Sequence, residues 1–154
     1  MKIKIEIQEN LTEDQVIICC SKLDEEVQRI SKAVTEVINS SQKLTFFKGG
    51  KEFYLTLEEI LFFETEEKKV NVHTKDDIYQ SKYKLYELEE MLPGYFMRVS
   101  KSAILNTKKV YSISWNLTSS SVVEFVGTQK SVYVSRSYYK VLKNKLDEKK
   151  NGWR

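Results

Sequence analysis

The hydrophobic pattern changes period once along this chain, and that change limits the folds it can reach. Leu23, Val27, Ile30, Val34, Val37 and Ile38 recur three or four residues apart with charged residues between them. That spacing puts them on one stripe of an amphipathic helix from Asp24 to about Ile38. After Lys43 the apolar runs become short and are punctuated by turn residues, as strands are. The expected fold class is mainly β with short helices (α+β).

The punctuation places the elements. Leu44 to Phe47 and Lys51 to Leu55 flank Gly49-Gly50, and two glycines supply the positive φ values that a two-residue hairpin turn requires. Thr56 followed by Glu59 matches a capping box for one helical turn, after which Ile60-Leu61-Phe62-Phe63 reads as a buried strand. Val70 to Thr74 and Ile78 to Lys82 pair across Lys75-Asp76-Asp77. A second helix spans about Lys84 to Leu92, with Leu85, Leu88, Met91 and Leu92 on one side and Pro93-Gly94 as its stop. Strands follow at Val110 to Ser114, Val122 to Val126 and Ser131 to Val134, and a last helix from about Ser137 to Lys149. Ahead of the first helix, Lys2 to Ile7 and Val16 to Cys20 read as two short strands separated by a polar turn at Asn10 to Asp14. The polar break Asn39-Ser40-Ser41-Gln42 then divides a strand-strand-helix unit, residues 1–42, from a second domain, residues 43–154.

At 154 residues the chain can bury one core with a short appendage. No segment reaches the roughly 20 apolar residues of a membrane span. The alternating start Lys2-Ile3-Lys4-Ile5-Glu6-Ile7 is unlike a secretory signal, so cytoplasmic residence is expected. Cys19 and Cys20 are adjacent, a geometry that disfavours an ordinary disulfide, and they read as one buried and one exposed thiol on a strand. Asn10-Leu11-Thr12 and Asn116-Leu117-Thr118 match the glycosylation acceptor pattern and carry no weight in such a chain. Lone His73 beside Val72 reads as structural: one histidine without nearby ligands makes neither a metal site nor a base. With no glycine-rich phosphate loop, no Cys/His ligand set and no nucleophile with a recognisable base, the chain does not read as an enzyme. No cofactor and no small-molecule substrate are expected.

The net charge of +3 hides an asymmetry. Residues 1–42 carry 5 Lys/Arg against 8 Asp/Glu, residues 43–90 carry 8 against 11, and residues 91–154 carry 12 against 3. A basic half of that size suits a polyanion, although a basic tail is also a solubility device. Inside it, Arg98-Val99-Ser100-Lys101-Ser102-Ala103-Ile104-Leu105-Asn106 sets cations and hydroxyls ahead of an apolar run. Arg98 and Lys101 can pair with phosphate or with guanine acceptors, while Ser100, Ser102 and Asn106 can hydrogen-bond backbone oxygens or cap a helical turn. Lys101 has no acidic neighbour in sequence between Glu90 and Glu124.

Four pieces in order complete a pattern: Ile60-Leu61-Phe62-Phe63-Glu64; Leu85-x-x-Leu88 with Met91-Leu92; Phe96-x-Arg98-Val99-Ser100-Lys101-Ser102-x-Ile104-x-Asn106; and Val134-Ser135-Arg136. From Leu44 to Leu146, about two thirds of the chain, this resembles the LytTR family of DNA-binding domains. The resemblance implies an elongated set of small antiparallel sheets with short helices, and DNA read by loops at one end, in major grooves, rather than by a recognition helix. It implies base contacts from three places, which here offer Lys68 and Lys69, then Ser100 and Lys101 ahead of a short helix, then Arg136 and Ser137. Many members carry His followed by Arg or Asn at Ser100-Lys101, and a second Arg at Ser137, so the base sequence read here is this chain's own.

Each candidate also has a plain structural reading. Lys68 and Lys69, beside Glu64, Glu66 and Glu67, can be solvated turn residues. Arg136 can cap strand-end carbonyls, although a cation at a helix start opposes the helix dipole and argues for an external anion. Tyr138, Tyr139, Val141, Leu142 and Leu146 read as the packed face of the last helix, and Lys140 and Lys143 lie on its other faces within reach of phosphates. The expected function is a stand-alone, sequence-specific double-stranded DNA-binding transcriptional regulator without a receiver domain, acting as a homodimer on repeated sites. The alternative is a β-rich module whose basic face docks on a protein or RNA. Residues 1–42 read as a docking surface for a membrane-protein regulator encoded nearby, a dimer contact, or a brace for the first sheet.

Overall fold

The computed structural model describes residues 1–40, 43–115 and 120–151. Three helices, α1 (Glu25–Ser40), α2 (Leu85–Met91) and α3 (Arg136–Asn151), accompany ten strands: β1 (Lys43–Lys48), β2 (Lys51–Thr56), β3 (Ile60–Glu66), β4 (Lys69–Thr74), β5 (Ile78–Ser81), β6 (Phe96–Ser100), β7 (Ala103–Asn106), β8 (Val110–Ile113), β9 (Ser121–Phe125) and β10 (Ser131–Val134). All ladders are antiparallel. One sheet runs in the order β2-β1-β5-β4-β3-β7-β6 and a second in the order β10-β9-β8.

Local chemistry explains the turns. Gly49 and Gly50 both have positive φ, so the β1–β2 connection keeps the strand twist. Glu59 accepts from the Thr56 amide at 2.7 Å and opens the single 3₁₀ turn Leu57–Glu59. At the start of β3 this turn delivers four consecutive buried residues, Ile60 to Phe63, and a register shift between Ile60 and Phe62 lets them serve both faces. Ile60 and Phe63 join Phe46, Val72, Leu88, Phe96 and Ile104 in one core; Leu61 and Phe62 join Val99, Leu105, Val123, Phe125, Val134 and Leu142 in another. The central strands β3 and β7 are thus covered on both sides, which fixes their register and holds the turns at their ends.

The sequence pattern missed β6 and β7. Phe96 to Asn106 is a hairpin, so Ser100 and Lys101 sit at a strand-to-strand turn, and the short helix, Thr107–Lys109, comes only after β7. Met91 and Val141, expected on packed faces, are exposed.

The amino-terminal unit, Met1–Thr35, also departs from expectation. Neither Lys2 to Ile7 nor Val16 to Cys20 belongs to a ladder, and Cys19 and Cys20 are both exposed. Alternation makes a strand only where a neighbour takes up the backbone amides and carbonyls, and none does among the described residues. The helix is where the pattern put it: Asp24 caps α1 by accepting from the Val27 amide at 3.0 Å. The expected break at Asn39–Gln42 meets the end of α1 at Ser40, with Ser41 and Gln42 outside the described residues, and the two compact units divide at Thr35/Glu36. The acceptor pattern at Asn116–Thr118 also lies outside the described residues.

Candidate nucleic-acid interface

Three connections meet at one end of the large sheet, two of them turns between its neighbouring strands β4, β3, β7 and β6. The first is the β3–β4 turn, closed by the pair Glu66 and Lys69. Glu67 and Lys68 occupy its centre with φ of 50° and 67°, the mirror-image turn that matches strand twist. The second is the β6–β7 turn at Lys101-Ser102, and the third is the junction of β10 with α3 at Ser135-Arg136. Two main-chain hydrogen bonds join them: the Thr65 amide donates to the Ser102 carbonyl at 2.8 Å, and the Ser135 amide donates to the Val99 carbonyl at 2.9 Å. Four strands about 4.8 Å apart span roughly 14 Å, close to the ~12 Å width of a DNA major groove.

Arg98 holds the central turn. Its Nε donates to the Ser100 carbonyl at 2.8 Å, Nη2 to the Lys101 carbonyl at 2.5 Å and Nη1 to Glu89 at 2.9 Å. The side chain is only 20% exposed. A fork of fixed donors clamps two successive carbonyls as an ammonium could not. The Ser102 amide donates to Ser100 Oγ at 3.1 Å, tightening the same turn. Lys101 projects from it, exposed and with no ion pair among the described residues.

The other candidates divide. Lys68 and Lys69 are exposed but share their turn with Glu66 and Glu67, and Glu66 accepts from Asn71 at 3.1 Å. Burial, reinforced by the Glu66 carboxylate, raises the Glu64 pKa. Within the turn itself Glu66 and Glu67 offset the charges of Lys68 and Lys69. Arg136 and Ser137 are exposed at the first turn of α3, where Ser135 accepts from the Tyr138 and Tyr139 amides at 3.0 and 3.1 Å, and Ser137 Oγ lies 3.1 Å from Ser135 Oγ. Lys140 lies exposed one turn on; Lys143 pairs with Asp147 at 3.0 Å on the helix surface. Buried Leu142 anchors α3 to the body.

Asn106 does not belong to this end. It is 1% exposed at the far end of β7, where its Nδ2 donates to the Ile60 carbonyl at 3.0 Å and its Oδ1 accepts from the Lys108 amide at 3.0 Å. Its chemistry is the capping anticipated from its type, directed inward. Arg98 likewise faces its own turn. Sequence reading missed the tying roles of Thr65 and Ser135, which act through the main chain; recognising Phe96 to Asn106 as a hairpin would have exposed both.

His73 lies away from the turns, stacked on Phe62 with ring centroids 4.2 Å apart, and Phe62 stacks in turn on Phe125. Burial, with Lys130 adding to it, lowers the His73 pKa to about 4, and neither ring nitrogen has a hydrogen-bond partner among the described residues. It is a neutral packing residue. The described residues contain no cluster of His, Cys, Asp and Glu able to hold a metal, and no helix long and apolar enough to cross a membrane.

A row of joined turns on a two-core antiparallel frame is the arrangement of a DNA-binding domain, and the chain belongs to the LytTR family: the model of the LytTr DNA-binding domain matches residues 50–147, taking in all three turns. It is a DNA-binding transcriptional regulator. A Staphylococcus aureus protein (strain NCTC 8325 / PS 47) named as an uncharacterized HTH-type transcriptional regulator is 30% identical over 147 residues, covering 95% of this chain and 98% of its own length. The protein of the same description from strain MRSA252 is 29% identical over 147 residues, again 95% of this chain and 98% of the relative. Both matches extend into the amino-terminal unit. The solved LytTr DNA-binding domain of a Bacillus cereus methyl-accepting/DNA response regulator aligns with TM-score 0.62 and 23% identity, over 67% of this chain and 94% of that one, and it shares the fold. The three helices described here are separated by strands, so the helix-turn-helix in the relatives' names does not describe this arrangement.

Proposed function

We propose that the three joined turns read base sequence in duplex DNA, entering major grooves as loops. Lys101 is the principal base contact: an unpaired ammonium on a clamped turn can donate to both O6 and N7 of guanine. Arg136, Ser100, Ser102 and Ser137 flank it, Lys68 and Lys69 approach from the neighbouring turn, and Lys140 and Lys143 hold phosphates. Arg98 acts one step back by fixing the Lys101 backbone, and Asn106 supports the far end of the frame. The observation that carries the reading is the pair of main-chain hydrogen bonds from Thr65 to Ser102 and from Ser135 to Val99, which make three separate sequence segments one surface.

The test is a mobility shift on a duplex selected from a random library, with heparin as competitor and salt as the variable. The expected result is a sequence-dependent complex whose log affinity falls with log salt by about 0.9 per phosphate neutralised. Binding that heparin abolishes equally on all duplexes, or a flat salt dependence, would overturn it. The finer setting we infer is a cytoplasmic homodimer on repeated sites, with a membrane protein encoded nearby as a candidate regulator of the amino-terminal unit.

A further inference from the structure

Residues 2–8, Lys-Ile-Lys-Ile-Glu-Ile-Gln, lie outside any ladder with Ile3 94%, Ile5 84% and Ile7 90% exposed. Lys4 pairs with Glu6, so side chains two apart share a face, as they do in an extended chain. The segment has what a strand needs except a neighbour.

A second copy of the same segment supplies one, and the charges select the register. In an antiparallel pair centred on Ile5, Ile3 faces Ile7 of the second copy, Ile5 faces Ile5, Lys4 faces Glu6 and Lys2 faces Gln8. Centring on Lys4 sets lysine against lysine, and centring on Glu6 sets glutamate against glutamate. Odd shifts oppose isoleucines to charges, and a parallel in-register pair stacks like on like throughout. One alignment alone satisfies both faces. We propose that residues 2–8 form an intermolecular antiparallel strand pair about Ile5, making this chain a dimer through its amino-terminal unit. A two-stranded ribbon is marginal in water. Val16 to Cys20, also outside any ladder and with Val16 and Ile17 exposed, gives each copy an apolar segment to add at the ribbon's edges. The proposal deepens the homodimer reading above and is independent of which DNA is bound.

Sedimentation of the 154-residue chain across micromolar to submillimolar concentrations should show a dimer. Lys4→Glu, which turns both cross-strand ion pairs into repulsions, should weaken it about tenfold or more, and the double change Lys4→Glu with Glu6→Lys should restore it. In a Cys19→Ser, Cys20→Ser background, Ile5→Cys should cross-link to its own copy under mild oxidation, since facing Cα atoms lie about 5 Å apart. Ile3→Cys should not, because the two copies of that residue would stand roughly 13 Å apart along the strands. A chain that stays monomeric would overturn both the strand pair and the homodimer reading. A dimer indifferent to charge reversal, or one that cross-links as well through Ile3→Cys, would overturn the strand pair and leave the homodimer standing.

Discussion

Arg98 and Lys101 are three residues apart and carry the same charge, yet the fold gives them opposite tasks. The Arg98 guanidinium is consumed by two carbonyls and Glu89, whereas Lys101 is exposed and has no ion pair among the described residues. Arg98→Ala should therefore cost about 1–3 kcal/mol of stability in urea unfolding and weaken all DNA sequences alike, and Arg98→Lys should recover little of it. Lys101→Ala should leave stability unchanged and relax preference at one base position, a loss of roughly 1–3 kcal/mol there; an unchanged profile over single-base operator variants would show that Lys101 only positions the domain. Asn106→Ala strips partners from the Ile60 carbonyl and the Lys108 amide, so stability should fall while base preference holds. Residue types in this segment were legible in the sequence, but their directions were not, because direction depends on recognising β6 and β7 as a hairpin. For His73 the folded pKa of about 4 lies below its ordinary 6.5. The unfolded chain binds the proton first as pH falls, so this contribution is full above about pH 6.5 and is lost between 6.5 and 4. Unfolding measured at several pH values should show that loss diminished in His73→Phe, which keeps an aromatic ring on Phe62; equal pH dependence in the two proteins would refute the assignment.

Elements were legible wherever turn chemistry was explicit. Gly49-Gly50, the Thr56 and Glu59 cap and Pro93-Gly94 each stand where the sequence pattern put them. The β3–β4 turn was harder to read, because Glu67 and Lys68 adopt positive φ without being glycine or asparagine. That conformation carries a steric cost, which Glu67→Asn should lower by about 1 kcal/mol or less. The same change removes a carboxylate beside Lys68, so the variant should melt higher and bind DNA more tightly. Higher melting with unchanged affinity would place this turn away from the phosphates. The amino-terminal segments failed as strands for the opposite reason: their alternation is strong, but pairing is a property of two segments, and the described residues hold no partner for them.

On the scale of the whole molecule, the basic segment 91–154 and the ordered motifs led to the family and the function, both of which follow from what can be counted along a chain. How three distant segments become one surface could not be counted; it depends on β7 lying between β3 and β6 and on α3 starting beside Val99. The most direct test of that surface is an amide NMR titration of the full chain with its selected duplex. The account predicts the largest shifts at residues 66–69, 99–102 and 135–140, with little change at Asn106 or at the exposed Tyr111 and Tyr133 of the small sheet. Shifts centred on that small sheet or on α1, with the three turns unmoved, would contradict it.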